Sequence, residues 1–152
     1  KMGQSIRFSE DQVLSMGRGT VGVKAIDVAG DDQVVGMAVT YPVRPYVLAV
    51  CEKGYGKRTN ITEYTRHGRG TQGMIAIKTS ARNGTVVAAT LVNPDDEIML
   101  IGTSGVLIRT RVKEIREMGR TAQGVTLMNM EKGEKLAGLS RIAEPEEEAG
   151  EE

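Results

Sequence analysis

The sequence is poor in the residue types on which many folds and chemistries depend. Its 152 residues include one cysteine, no tryptophan, one histidine, one phenylalanine and four tyrosines. A lone cysteine, Cys51, excludes a disulfide framework and a cysteine-based zinc site within one chain. A lone histidine, His67, excludes a multi-histidine metal centre. Phe8, Tyr41, Tyr46, Tyr55 and Tyr64 are too few rings for a platform that stacks successive bases. No apolar run approaches the ~18 residues of a membrane-spanning helix, and the opening KMGQSIRF lacks the apolar core of a signal peptide. The expectation is a reducing, cytoplasmic setting with no membrane partner. Neither a nucleophile–base pair nor a Walker-type phosphate loop is present, so no catalytic residue, cofactor or metal is expected. Asp31-Asp32 and Asp95-Asp96 follow turn-forming residues and read as solvated turn carboxylates.

The charge balance hides an asymmetry. Lys+Arg and Asp+Glu both number 20, for a formal net charge of +0. Six of the acids are glutamates in residues 144–152 (EPEEEAGEE), a segment without a base. The preceding 143 residues therefore hold all 20 bases against 14 acids, a net of +6. The reading is a moderately basic body with an acidic tail. Charge without apolar side chains able to bury predicts disorder for that tail.

Glycine is abundant, at 19 residues or about 12.5% against a usual ~7%. Its placement is periodic. Gly17-Arg18-Gly19-Thr20-Val21-Gly22, Gly68-Arg69-Gly70-Thr71-Gln72-Gly73 and Gly119-Arg120-Thr121-Ala122-Gln123-Gly124 lie 51 residues apart. The same offset links Gly3, Gly54 and Gly105; Arg7, Arg58 and Arg109; Val13, Tyr64 and Ile115; and Ile26, Ile77 and Met128. Within one period, Tyr46–Glu52, the stretch after Gly54, Met74–Thr79 and Val86–Val92 read as four extended segments. Asn83-Gly84 predicts a hairpin between the last two. Four β segments per ~50 residues is the arithmetic of a propeller blade. The expected division is an incomplete blade lacking its first strand (1–45), a complete blade (46–96), a complete final blade (97–143) and the tail (144–152). Three blades are fewer than the ~4–8 that close a propeller. A partial ring follows, or a homodimer of two half-rings.

The strings GYGKRTNITEY, HGRGTQGMIAI, DEIMLIGTSGVLIRTRVKEI and GRTAQGVTLM, with the acidic tail, resemble the C-terminal DNA-wrapping domain of the DNA gyrase A subunit. The topoisomerase IV A subunit is a close relative. The resemblance covers nearly the whole chain and implies an all-β fold, a six-bladed β-pinwheel whose blades exchange strands with their neighbours. It implies duplex DNA bent around a basic outer rim in support of supercoiling. The partners it implies are the gyrase B subunit together with the rest of the gyrase A subunit. It also implies that the cleaving tyrosine and the ATP site lie outside this chain. The family's first-blade box, Gln-Arg-Arg-Gly-Gly-Lys-Gly, has no intact copy here. Degenerate versions stand at Met16–Gly22, His67–Gly73 and Met118–Gly124, the last with Thr121 in place of the middle glycine, so the likeness is to the last three blades.

A glycine-rich turn with one arginine suits phosphate recognition, because the backbone approaches closely while the guanidinium forks onto oxygens. Arg18, Arg69 and Arg120 are the first candidates, within the turn glycines Gly17, Gly19, Gly22, Gly68, Gly70, Gly73, Gly119 and Gly124. Turns that simply join blades use the same residues, and the two roles are compatible. Arg7, Arg58 and Arg109 lie on an extended segment, where DNA contact and a salt bridge or an aliphatic stem over apolar surface are alternatives. Lys57, Arg66 and Lys78 are further cations expected mainly at the surface. The tail is expected to compete with DNA for the rim. A propeller used as a protein-interaction scaffold is the alternative function, as is an excised half-domain that self-assembles.

Overall fold

The computed structural model describes residues 1–143; the tail expectations fall outside the described residues. The fold is all-β, a partial pinwheel in which successive repeats interlock. In the middle repeat Tyr46–Cys51 (β2) is central, with Tyr55–Asn60 (β3) antiparallel on one side and Val86–Val92 (β5) antiparallel on the other. The next repeat copies this with Glu97–Gly102 (β6) between Leu107–Arg111 (β7) and Leu136–Ile142 (β9). The two copies agree in detail, since each central strand has a bulge against its outer partner, at Val50/Cys51 and at Ile101/Gly102.

The fourth segment of each repeat does not stay at home. Met74–Ile75 (β4) pairs with Gln4–Ser5 (β1) of the preceding repeat, and Val125–Thr126 (β8) pairs with Tyr55-Gly56 of β3. The resulting strand orders are β1-β4, β5-β2-β3-β8 and β7-β6-β9. The Asn83-Gly84 hairpin expected between β4 and β5 is therefore not formed. The turn is there, with Gly84 N–H bonded to the Ser80 carbonyl at 2.9 Å, but it joins strands in different sheets. The extended stretch expected at Met74–Thr79 shrinks to two residues for the same reason.

Strand exchange fixes where the core lies. β2 is apolar along its length and is buried on both faces. Leu48 and Val50 point one way, into a cluster with Val92, Ile98, Leu100, Val112, Ile115, Met128 and Leu136 that fills the space between the second and third repeats. Ala49 and Cys51 point the other way, to Ile77 and Val86. Fully burying such side chains is worth about 1.5–3 kcal/mol each, so the interlocked repeats are held by apolar contact across their junctions. Cys51 is a buried free thiol, and its apolar surroundings push its pKa up to about 11, which leaves it protonated and inert. No helix among the described residues is long and apolar enough to cross a membrane.

The first repeat is different. Apart from β1 and a 3-10 turn at Glu10–Gln12, residues 13–45 carry no strand. The 51-residue offset of the repeat maps β5 backwards onto residues 35–41, which carry no strand.

Candidate nucleic-acid interface

The boxed turns lie where one repeat meets the next, and their arginines stitch the junctions. Arg69 donates from Nε to the Gln12 carbonyl (2.9 Å) and from Nη1 to the Lys24 carbonyl (3.0 Å), both in the preceding repeat. Arg120 does the same one repeat later, from Nη1 to the Ile75 carbonyl at 2.6 Å; Ile75 is the counterpart of Lys24. The backbone N–H of Arg69 is received by Gln12 Oε1 (2.9 Å) and that of Arg120 by Glu63 Oε1 (3.1 Å), again equivalent positions. Of five guanidinium N–H groups, these bonds use two in Arg69 and one in Arg120. Both residues are half-buried, and their remaining guanidinium N–H groups make no bond among the described residues. Arg18, in the first turn, is exposed and has no equivalent bond among the described residues.

The turns themselves are not identical. Gly70 takes φ +83°, and its N–H reaches the Ala25 carbonyl at 2.7 Å. Thr121 stands at the same place, no non-glycine residue among those described has positive φ, and the third turn closes locally instead, Ala122 N–H to the Gly119 carbonyl at 3.2 Å. Gly73 and Gly124, at the ends of their boxes, are where β4 and β8 begin to cross. A Cβ on Gly73 would overlap the Ser5 carbonyl, and one on Gly124 would sit 2.6 Å from the Gly56 carbonyl. Gly17, Gly19, Gly22, Gly68 and Gly119 are less confined; nothing lies near a Cβ built on the first three.

The strand arginines clamp in the opposite direction, onto the following repeat. Arg7 Nη1 donates to the carbonyls of Ile61 (3.2 Å) and Tyr64 (3.1 Å) around the 3-10 turn Ile61–Glu63. Arg58 Nε donates to the Ile115 carbonyl (2.7 Å), the counterpart of Tyr64, and its guanidinium stacks 4.6 Å from the Tyr46 ring. Arg109, on the last repeat, is exposed and turns back onto Glu97.

Lys57 is a correction. Expected at the surface, it is wholly buried, and its ammonium donates to the carbonyls of Gly119 (2.6 Å) and Arg120 (2.5 Å). Alternation along β3 turns it inward, toward the box of the next repeat. Burial is the main reason its pKa falls to about 8, with Glu63 opposing and Arg120 adding to the fall. The repeat contained the signal, since the equivalent positions are Ile6 and Ile108, both apolar. Gln12 and Glu63, the box anchors, likewise align at the 51-residue offset, and that alignment is their only mark in the sequence. Arg66 and Lys78 are exposed, as are Arg111, Lys113 and Arg116. The turn carboxylates accept backbone N–H groups, Asp32 from Met2 and Gln33 and Asp96 from Asn93, and no cluster of three metal-ligating side chains occurs among the described residues.

Comparison with known proteins bears on this arrangement. A family model described as DNA gyrase C-terminal domain, beta-propeller, matches residues 3–40, 45–93 and 96–143. The DNA gyrase A subunit of Salmonella typhimurium is 47% identical over 143 residues, covering 94% of this chain and 16% of that protein. Its Escherichia coli K12 equivalent is 43% identical over 146 residues, covering 96% and 17%. The chain thus spans about a sixth of the length of these relatives. A solved DNA gyrase A C-terminal domain superposes with a TM-score of 0.82 at 30% identity, over 94% of this chain and 48% of that one. The C-terminal domain of DNA topoisomerase IV, at 18% identity and a TM-score of 0.86 over 93% of this chain and 44% of that one, shares the fold.

Proposed function

The chain belongs to the DNA gyrase C-terminal β-propeller family, and from that premise we propose that it binds duplex DNA along its basic outer rim without catalysing a reaction. It is part of a type IIA topoisomerase, and bending of duplex over the rim supports supercoiling by active sites elsewhere in the enzyme. Its partners are DNA, the gyrase B subunit, plus the rest of the gyrase A subunit, in the bacterial cytoplasm at the nucleoid.

One observation carries this reading: an arginine-bearing turn recurs at every repeat of an arc whose body holds 20 bases against 14 acids. Phosphate contacts of this kind position a duplex without reading its sequence. Bending 20–30 bp by 40–90° costs roughly 1–6 kcal/mol, which calls for a row of contacts rather than one. The forks of Arg69 and Arg120, the exposed Arg18, Arg66 and Lys78, and Arg109 once released from Glu97 supply the row. Arg7 and Arg58 hold the arc together, and Lys57 fixes the backbone beneath Arg120. The tail, with its six glutamates, competes for the same surface.

The experiment is binding across a salt series to a duplex of ~20 bp and another of ~150 bp, the latter about one persistence length. The expectation is tighter binding per site to the longer duplex, with the logarithm of the affinity falling linearly in log salt at a slope of about 0.9 per phosphate contacted. Removal of residues 144–152 tightens binding at low salt. Absence of binding to either length at low salt would overturn the reading in favour of a protein-interaction scaffold.

A further inference from the structure

The junction between the middle and last repeats has both of its sides within the described residues, and β3 holds its turn in a way that the first junction does not. Thr59 Oγ1 donates to the Met118 carbonyl (2.9 Å), and the Lys57 ammonium to the carbonyls of Gly119 (2.6 Å) and Arg120 (2.5 Å). Three successive carbonyls are thereby drawn onto two wholly buried side chains. At the first junction Ile6 and Phe8 stand in those places and have nothing to donate. The carbonyls of His67, Gly68 and Arg69 accept no hydrogen bond among the described residues. There Gly70 ties the turn instead, its left-handed φ sending the N–H to the Ala25 carbonyl. Thr121 takes no such φ, and β3 supplies the hold that is missing.

Peptide geometry gives the consequence. Every peptide bond among the described residues is trans, so each N–H points away from the carbonyl of its own planar unit. With the carbonyls of residues 118–120 turned inward, the N–H groups of Gly119, Arg120 and Thr121 turn outward together. Gly119 and Thr121 are exposed, and their N–H groups make no bond among the described residues. The N–H between them, that of Arg120, is held by Glu63 Oε1 at 3.1 Å. Successive peptide N–H groups facing one way make an anion site. A buried ammonium behind them strengthens the field, because it acts through a low dielectric. An anion already occupies this site, the carboxylate of an exposed side chain. At the first junction the same position is filled by a neutral amide, Gln12.

We propose that Gly119–Thr121 is a main-chain cradle for one DNA phosphate, built from beneath by Thr59 and Lys57 and occupied in the free protein by the Glu63 carboxylate, which the phosphate displaces. The inference rests on the DNA-binding reading and adds to it a second phosphate donor set beside the arginine forks. Lys57 is a positioning residue, since its ammonium touches main chain and is shut away from solvent. Glu63 tempers the site, because an entering phosphate must replace an existing bond and approach a negative charge.

The test is a titration of the 15N-labelled chain with a duplex of ~20 bp at low salt, followed residue by residue in the amide spectrum. The Gly119 and Thr121 amide protons are expected to move downfield as they bond to phosphate oxygen. In Lys57→Met those two signals should no longer move, and the slope of log affinity against log salt should fall by about 0.9, the loss of one phosphate. Glu63→Gln keeps an acceptor for the Arg120 N–H, as Gln12 does for Arg69, but removes the charge. It is expected to bind duplex severalfold more tightly, the gain shrinking as salt screens the site. A merely structural role for these residues would predict neither the amide shifts nor a gain in affinity. Rim signals that move while Gly119 and Thr121 stay still would overturn the cradle and leave DNA binding standing. No movement anywhere would overturn both. A Glu63→Gln chain that binds no more tightly than the native one would also overturn the proposal.

Discussion

Residues 46–143 and residues 1–45 follow the same 51-residue pattern, yet only the former build sheets with a central strand. The contrast is sharpest between Val86–Val92, a strand, and residues 35–41 (VGMAVTY), which are β-favouring by composition but carry no strand. Val86–Val92 has β2 beside it; residues 35–41 have no counterpart of β2 in the chain. Strand propensity is mostly fitness for a half-buried pleated surface, and without the neighbour there is no such surface. A repeat of this kind is completed by its neighbours and by its first strand together.

The largest effect that tests this contrast is a cavity. Ile77 and Ile26 are equivalent, but Ile77 is 1% exposed and Ile26 is half-buried. Ile77→Ala should cost about 2–5 kcal/mol, and Ile26→Ala well under half of that, read as the shift in urea unfolding. Equal losses would show that the first repeat is packed as well as the second.

A backbone pair follows. Gly54→Ala meets both a left-handed φ and the Met128 carbonyl, and should cost about 3 kcal/mol, among the large single-site effects. Gly105→Ala meets the φ alone, at about 1–2 kcal/mol. Equal losses would mean that the overlap with the Met128 carbonyl adds nothing to the cost of the left-handed φ.

Much of this was legible in the sequence because a repeat is a translational symmetry, and symmetric positions must do similar work. The offset placed the glycines, the apolar core positions and both arginine series in register. It did not reveal with whom each segment pairs. Asn83-Gly84 reads as a hairpin turn locally, while the destination of Met74–Ile75 is set by an edge some seventy residues earlier. The arginines were legible as equivalent but not as clamps, since their partners are main-chain carbonyls, which leave no trace in side-chain identity. Lys57 was visible only as a break in the symmetry.

The arginines give the third comparison. Arg69→Ala and Arg120→Ala each remove charge-assisted bonds across a junction and should cost about 1–2 kcal/mol, since hydrogen bonds to charged groups are worth ≈ 1.5–3 and these side chains are partly solvated. Arg18→Ala should change the unfolding free energy by no more than about 0.5 kcal/mol. On DNA all three should weaken binding and lower the salt slope by about 1. Unfolding and binding measured on the same three variants thus separate junction from rim; an Arg69 variant that loses stability but keeps its salt slope would assign that arginine to the junction alone.

The smallest effect distinguishes the two junctions from one another, because only the second contains a buried lysine. Lys57 has a folded pKa of about 8 against 10.5 for the free side chain, burial being the chief cause. Below pH 8 it is protonated in both folded and unfolded chains, and the full cost of burying the ammonium is present. Between 8 and 10.5 the unfolded chain binds more protons than the folded one, so stability attributable to this residue rises with pH. Lys57→Met removes that cost along with the bonds to Gly119 and Arg120, and near neutral pH the two should offset to within about 1 kcal/mol. The difference in unfolding free energy between the native chain and the variant should then move in favour of the native chain as pH rises through this window. A difference that stays flat would mean that the ammonium is hydrated in solution, and that the second junction is held, like the first, by arginine and apolar contact alone.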